Sequence, residues 1–165
     1  MCSDFLSREF DLEVLVILRH PAAFFASMKR KNWGINPNHF LIQKDLMTDY
    51  LYKYEDQLKK ASSSQEYIIM EWICVNSVLF DYSKNNKRFH IVKHEDICQN
   101  PVASFRNIYE KYDIPFTKKI ERKVAKSIKP DRCNTWKEEL ASSEIEWVKS
   151  KTYALASEFY SEWQF

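Results

Sequence analysis

The strongest constraint on the fold is a strand, turn and helix pattern near the start of the chain. It opens with Val14–Leu18, five consecutive apolar residues that are rich in branched side chains. Such a run predicts a strand covered on both faces, as in a parallel sheet. Pro21 follows, and its fixed φ suits the first position of a helix. The sequence therefore predicts a strand at about 13–19 and a helix at about 21–31.

Two polar residues stand out in this segment. Arg19 ends the predicted strand, and Ser27 lies on the predicted helix. A guanidinium and a hydroxyl beside the start of a helix can together hold a phosphate group. The same residues are also explained by an arginine that pairs with a neighbouring carboxylate and a serine that only tolerates its helix. From this segment alone, both interpretations stay open.

Composition limits the classes of function. The chain has 165 residues, enough for one domain with a sizeable core, and a formal net charge of +2. Bulk charge therefore predicts neither a nucleic-acid nor a membrane partner, and no apolar run is long enough to span a bilayer. The four cysteines form no Cys-x-x-Cys pair and no histidines have metal-ligand spacing, so we expect no metal site. Reduced thiols in a cytoplasmic protein are the corresponding expectation.

Helical patterns occupy most of the middle of the chain. Apolar residues at three-to-four spacing predict one long helix at about 39–60. Ser63 and Glu66 have the spacing of a capping box, which predicts a second long helix to about residue 84. A less apolar run at about 88–93 predicts a second strand. Two strands are too few for a stable isolated sheet, so their edges need cover from helices, other strands or a partner chain.

The C-terminal third is also predicted to be helical. Asn100-Pro101 and Pro115 each precede apolar residues at helical spacing. Ser143 and Glu146 form a second pair at capping-box spacing and predict the start of the last helix. Between these helices, a polar stretch at 129–134 is predicted to be a loop.

Four blocks of sequence, in order, resemble sulfotransferases that use 3′-phosphoadenosine 5′-phosphosulfate (PAPS), and bacterial members most closely. The first block, 19–30, contains an Arg-His-Pro turn and is similar to the segment that binds the 3′-phosphate. The second, 89–97, resembles a later strand with an acidic pair. The third, 136–140, resembles a C-terminal Trp-basic segment, and the fourth is the ending at 159–163. The ordered set is much more specific than any single block.

The resemblance implies an α/β fold, namely a P-loop NTPase-like, three-layer sulfotransferase fold that is truncated and helix-dominated, with two or so parallel strands. The family begins with a loop containing glycine and lysine that holds the 5′-phosphosulfate, and its catalytic base also precedes the Arg-x-Pro turn. Gly34 is the only glycine in this chain, so no such loop is present. We therefore assign no catalytic residue and expect residues 1–165 to be a single partial sulfotransferase domain.

The resemblance also implies a set of binding residues. Arg19 and Ser27 match the residues that hold the 3′-phosphate of PAPS or of adenosine 3′,5′-bisphosphate. Lys129 and Arg132 lie where the family has a late basic loop that closes over the same phosphate, although plain surface charge also explains them. The acceptor would carry a hydroxyl group, on a carbohydrate or a small metabolite. The chain is expected to supply the 3′-phosphate-binding half of such an enzyme.

Other polar and aromatic residues have structural interpretations. His20 matches a family position that is not the catalytic base, and we expect it to be structural or to cap the helix. The acidic pair and histidine at 94–96 are expected to anchor a turn at the end of the second strand. Trp33 either stacks on an adenine or an acceptor, or packs against its own loop.

A second interpretation belongs to a different class of function. The chain could be a non-catalytic helical interaction module that keeps this fold and mediates assembly. Its unpaired sheet edge and its high aromatic content of 15% would then form an interface. A homo-oligomer is compatible with either interpretation.

Overall fold

The computed structural model describes residues 2–34, 36–128 and 133–160. These residues form a helix-dominated structure with one two-stranded parallel sheet, in agreement with the predicted α/β class. The strands are β1 (Val14–Leu18) and β2 (Phe89–Lys93). The helices are α1 (Ser3–Glu9), α2 (Pro21–Lys31), α3 (Asn38–Leu41), α4 (Lys44–Leu46), α5 (Glu55–Lys60), α6 (Ser64–Asn85), α7 (His94–Gln99), α8 (Pro101–Lys111), α9 (Lys118–Ser127), α10 (Trp136–Glu139) and α11 (Ser142–Ala156). Across the described ranges, none of these helices is both long enough and apolar enough to cross a membrane.

The first strand and helix lie where the sequence predicts them, but the sheet is covered differently. Val16 and Leu18 are buried in the core, whereas Ile17, on the opposite face of β1, is 55% exposed. The expectation that this strand is covered on both faces is therefore wrong at Ile17, although Leu15 on the same face is half-buried. The helices that bury Val16 and Leu18 lie on one side of the sheet, and nothing in the described residues buries Ile17.

The central element is α6. Ser63 Oγ accepts a hydrogen bond from the backbone N–H of Glu66 (3.2 Å), and a carboxylate oxygen of Glu66 accepts one from the N–H of Ser63 (3.0 Å). This confirms the predicted capping box. The helix is then buried on several sides, with Trp72, Cys74 and Val78 almost fully enclosed. Because α2, α11 and β2 all pack against it, α6 organises the core.

The single long helix predicted at 39–60 is wrong. The structure instead has α3, α4 and α5, with a π-helical turn at Met47–Leu51 and a 3₁₀ turn at Tyr52–Tyr54 between α4 and α5. Leu51 and Leu58 are nevertheless fully buried, as the apolar spacing indicates. The apolar spacing therefore predicts which side chains are buried, but it does not predict where the helix is interrupted.

The capping box predicted at Ser143 and Glu146 is also wrong. The carboxylate of Glu144 fills that role, since it accepts a hydrogen bond from the backbone N–H of Ala141 (3.1 Å). The same carboxylate forms an ion pair with Lys29 at the end of α2 (2.6 Å). Glu144 therefore both caps the start of α11 and links it to α2.

Two of the four cysteines are joined. Cys98 in α7 and Cys133 just before α10 form a disulfide across a sequence separation of 35. The expectation of four reduced thiols is therefore wrong, because the fold brings together two cysteines that no spacing pattern links. Cys74 is free and fully buried, and burial raises the pKa of its thiol to about 12. It behaves as a small core residue.

We expect loss of this disulfide to destabilise the protein. A cross-link that closes a loop of this length stabilises the folded state by roughly 3 to 4 kcal/mol, because it restricts the unfolded chain. Cys98→Ser should lower the free energy of unfolding in urea by about that amount. Cys2→Ser, which removes an exposed free thiol, should stay within about 0.5 kcal/mol of the parent. Equal stability of Cys98→Ser and the parent would contradict this expectation.

Candidate functional site

The first two sequence blocks meet at one edge of the sheet. The strands are parallel and in register, with Leu18 opposite Lys93 at their carboxyl ends. Arg19 and His94, the next residues, therefore lie next to each other. Burial lowers the pKa of His94, and the positive charge of Arg19 lowers it further. Open parallel sheets in α/β proteins bind ligands at this edge, which makes it the candidate site.

Arg19 places a guanidinium group at this edge. Its backbone C=O accepts a hydrogen bond from Trp72 Nε1–H of α6 (3.0 Å), which fixes the position of the main chain. The side chain is half-buried, and its buried Nε donates to no acceptor within the described residues. Burial lowers the pKa of Arg19, and the negative charge of Glu95 opposes that change. A buried donor is costly until it meets an acceptor, and a water or a bound group could supply one to this atom.

Glu95 is the buried acid of the site. Its Oε1 accepts a hydrogen bond from the backbone N–H of His20 (2.9 Å), and its Oε2 accepts one from the hydroxyl of Tyr160 (3.0 Å). Burial raises the pKa of Tyr160, and the negative charge of Glu95 raises it further, so the phenol remains a donor. The stretch 94–96 therefore anchors the end of the second strand, as predicted, and Glu95 carries that role.

His20 is fully buried at the start of α2. Its Nδ1 accepts a hydrogen bond from the backbone N–H of Ala22 (3.2 Å), so it caps the helix as predicted. Its ring stacks on Trp136 and meets Tyr160 edge-on, with centroid distances of 5.1 Å in both cases. Burial lowers the pKa of His20 to about 3, and the charge of Lys137 acts in the same direction. The imidazole is therefore neutral near pH 7 and serves as a structural acceptor.

Residues from all four sequence blocks meet at this point. His20 comes from the first block, Glu95 from the second, Trp136 from the third and Tyr160 from the last. Each contacts at least one of the others. The blocks that carry the resemblance are thus parts of one structural unit, with Arg19 at its border.

Helix α2 supplies further groups near Arg19. Its first turn has no acidic residue, so no carboxylate offsets the positive end of the helix dipole there. Ser27 is half-buried on α2, and no hydrogen bond among the described residues joins it to Arg19. Arg30 lies one turn beyond Ser27 on the same side of α2. Its charge adds to the lowering of the pKa of Arg19 by burial, and it forms an ion pair with Glu139 (2.5 Å).

Three predicted residues remain. Lys129 and Arg132 lie outside the described residues. Trp33 is 58% exposed, and the Nζ of Lys31 lies 4.4 Å from the centre of its ring. The indole therefore stacks against a lysine at the surface rather than packing in the core.

Sequence reasoning did not find a role for Tyr160. Its partner Glu95 is 65 positions away, and neither residue lies in a pattern that would link them. The burial of Arg19 Nε could not be predicted from the sequence either, because it depends on how α6 and α7 pack around the end of β1. Burial can be predicted from sequence only where apolar residues alternate or recur periodically, and a single residue that follows a strand belongs to no such pattern.

Comparison with known proteins identifies no relative: no family model, no curated protein and no solved structure matches the chain. Within the described ranges, no three His, Cys, Asp or Glu side chains are grouped so that they could hold a metal. The geometry places a partly buried guanidinium at a sheet edge beside the positive end of a helix, two features that favour an anion.

The low pKa of His20 should make the fold sensitive to acid. An unfolded histidine takes up a proton near its ordinary value of 6.5, whereas the folded one does so only near 3. The free energy of unfolding should therefore fall as the pH decreases from about 6.5 towards 3, by at most about 1.4 kcal/mol per pH unit. His20→Asn keeps a capping acceptor but cannot titrate, so its stability should depend less steeply on pH.

Urea unfolding at several pH values in this window measures the slope. His39→Asn removes an exposed histidine on α3 and should keep the slope of the parent. If His20→Asn also kept the parent slope, His20 would not be the group that gains a proton on unfolding.

Proposed function

We propose that this chain binds PAPS or adenosine 3′,5′-bisphosphate through the 3′-phosphate, as the phosphate-binding half of a sulfotransferase that acts on a hydroxyl acceptor. The observation that carries the proposal is the buried Nε of Arg19, which has no acceptor in the described residues and lies at the carboxyl edge of a parallel sheet. The four-block resemblance supplies the identity of the nucleotide, since it places Arg19 and Ser27 in the 3′-phosphate segment.

A phosphate group suits this position for physical reasons. The guanidinium is planar, keeps its charge near neutral pH and can donate two parallel hydrogen bonds to phosphate oxygens. The start of α2 adds a favourable field for an anion. Ser27 would contribute a hydroxyl donor from α2, and Lys129 and Arg132, which precede α10 in the sequence, would add positive charge.

Sulfuryl transfer moves an SO₃ group between oxygens, and it depends mainly on positioning and on stabilisation of charge. In the proposed enzyme this chain holds the nucleotide end of the donor, and no catalytic residue is assigned to it. The proposed acceptor is a hydroxyl on a carbohydrate or a small metabolite. The nucleotide is a co-substrate, and the proposal involves neither nucleic acid nor a membrane.

The finer fold assignment, a P-loop NTPase-like three-layer sulfotransferase fold, is part of the same proposal. Such a fold covers both faces of its parallel sheet with helices, and the exposed Ile17 lies on the face that a third layer would cover. A cytoplasmic location is likewise only proposed. The disulfide between Cys98 and Cys133 argues against it, because such bonds are rare in reducing compartments.

Isothermal titration calorimetry with adenosine 3′,5′-bisphosphate tests the proposed function. Arg19→Ala should weaken binding by roughly 10- to 100-fold, because a charge-assisted hydrogen bond to the 3′-phosphate is lost. Adenosine 5′-monophosphate lacks that phosphate, so with this ligand the same substitution should change the affinity by less than about twofold. Arg122→Ala removes an exposed arginine on α9 and should bind like the parent.

Two results would contradict the proposal. One is a parent chain that does not bind adenosine 3′,5′-bisphosphate. The other is an Arg19→Ala variant that loses affinity equally for both nucleotides, which would mean that Arg19 does not contact the 3′-phosphate. Circular dichroism of Arg19→Ala and of the milder Arg19→Lys separates loss of binding from loss of folding.

An assembly module is the second candidate function, and a specific observation favours it. Strand β1 pairs only with β2 among the described residues, and large apolar side chains near it are exposed. Patches of this kind mark interaction sites. We propose a second copy of the chain as the partner, which would cover an interface built from Phe5, Leu6, Phe10, Leu12 and Ile17.

Light scattering coupled to size-exclusion chromatography tests this candidate. The parent should elute as a dimer at about 100 μM, and Ile17→Lys should shift it to a monomer, because a charge in an apolar interface is costly. Ile42→Lys changes an exposed apolar residue between α3 and α4 and should leave the dimer intact. A parent that is monomeric at this concentration would rule out self-assembly through β1.

A further inference from the structure

A cavity of about 340 Å³ opens between α5, α6 and α11. Its floor consists of Ile69, Met70 and Ile73 on α6, each of which is at least nine-tenths buried, and Trp147 of α11 forms one wall. Small-molecule sites share this size and this combination of an apolar floor with an aromatic wall. The cavity is therefore large enough for a flat apolar group.

The rim of this cavity carries two lysines. Lys60 ends α5 and Lys151 lies on α11, so the two approach the cavity from different sides. Neither takes part in an ion pair within the described residues, whereas the neighbouring Lys59 is paired with Glu55 (2.6 Å). Two cations without acidic partners, placed above an apolar floor, favour a ligand with a negative group at one end.

Glu66 is the acidic residue on the same rim, and its carboxylate is already hydrogen-bonded. One carboxylate oxygen accepts hydrogen bonds from the backbone N–H groups of Ser62 and Ser63 (both 3.0 Å) and from the Ser63 hydroxyl (2.9 Å). These hydrogen bonds lower the pKa of Glu66 to about 2, and the one from the Ser62 N–H has the largest effect. The carboxylate is thus held by the cap of α6, and it does not neutralise the lysines through an ion pair.

We propose that this cavity binds a small aromatic anion, a carboxylate or sulfonate with one or two rings. The rings lie on the floor of Ile69, Met70 and Ile73 beside the indole of Trp147, and the anionic group lies between Lys60 and Lys151. Burial of the ring provides most of the affinity, and the lysines select the charged form.

This site is separate from the one at the sheet edge. Trp72 of α6 holds the backbone of Arg19, whereas Ile69, Met70 and Ile73 line the cavity. Neither Arg19 nor Ser27 borders it. The proposal therefore does not depend on nucleotide binding, and Arg19→Ala should leave it unaffected.

Calorimetry with naphthalene-2-sulfonate and its neutral analogue 2-naphthalenemethanol tests the proposal. The sulfonate should bind roughly three- to ten-fold more tightly than the alcohol, because exposed lysines contribute modestly to binding. The double variant Lys60→Gln/Lys151→Gln should remove that preference and leave the affinity for the alcohol unchanged. Lys149→Gln on α11, which does not line the cavity, is the matched control and should keep the preference.

Methyl NMR spectra locate the ligand. Addition of the sulfonate should shift the methyl signals of Ile69, Met70 and Ile73, and the same shifts should appear in Arg19→Ala. The proposal is overturned if the sulfonate does not bind at about 5 mM, if the neutral analogue binds as tightly, or if the double variant keeps the preference. Shifts confined to methyls at the sheet edge, such as Ile17, would also overturn it.

Discussion

The buried carboxylate of Glu95 is the interaction on which the candidate site depends. A carboxylate loses several kcal/mol of hydration when it is buried, and only strong donors make that position stable. Here the donors are the backbone N–H of His20 and the hydroxyl of Tyr160, one on each oxygen. Glu95 thereby joins the end of β1, the start of α7 and the C-terminal part of the described chain.

The neighbourhood of Glu95 explains why Arg19 is available for a ligand. Arg19 lies close enough to Glu95 for the negative charge to oppose the lowering of its pKa by burial. The carboxylate oxygens, however, already accept hydrogen bonds from His20 and Tyr160, and Arg19 Nε remains without an acceptor in the described residues. The guanidinium of Arg19 therefore lies partly buried near a negative charge, while its Nε donates no hydrogen bond to the described residues. That combination is the physical basis for proposing an anion at this edge.

The parts of the structure that could be predicted from sequence are those with local causes. The strand at Val14–Leu18, the helix that begins at Pro21 and the capping box of Ser63 and Glu66 each depend on residues within a few positions of one another. The helix-capping role of His20 belongs to the same class, since its partner is only two residues away.

The parts that could not be predicted depend on tertiary contacts. Apolar spacing at 39–60 identified buried residues such as Leu51 but not the π-helical and 3₁₀ interruptions. The ion pair that links α11 to Lys29 of α2 joins residues 115 positions apart, and the disulfide joins cysteines 35 positions apart. Ile17 is exposed because none of the described elements covers it, and the composition of the strand does not predict this.

Urea unfolding of Glu95→Gln, with Asp96→Asn as the matched control, tests this account most directly. Both substitutions replace a carboxylate by an amide in adjacent residues of α7, but Glu95 is buried and Asp96 is exposed. Glu95→Gln should lower the free energy of unfolding by roughly 2 to 4 kcal/mol, because the amide nitrogen cannot accept one of the two hydrogen bonds. Asp96→Asn should change it by less than about 0.5 kcal/mol. Equal stability of Glu95→Gln and the parent would contradict the central role given to this carboxylate.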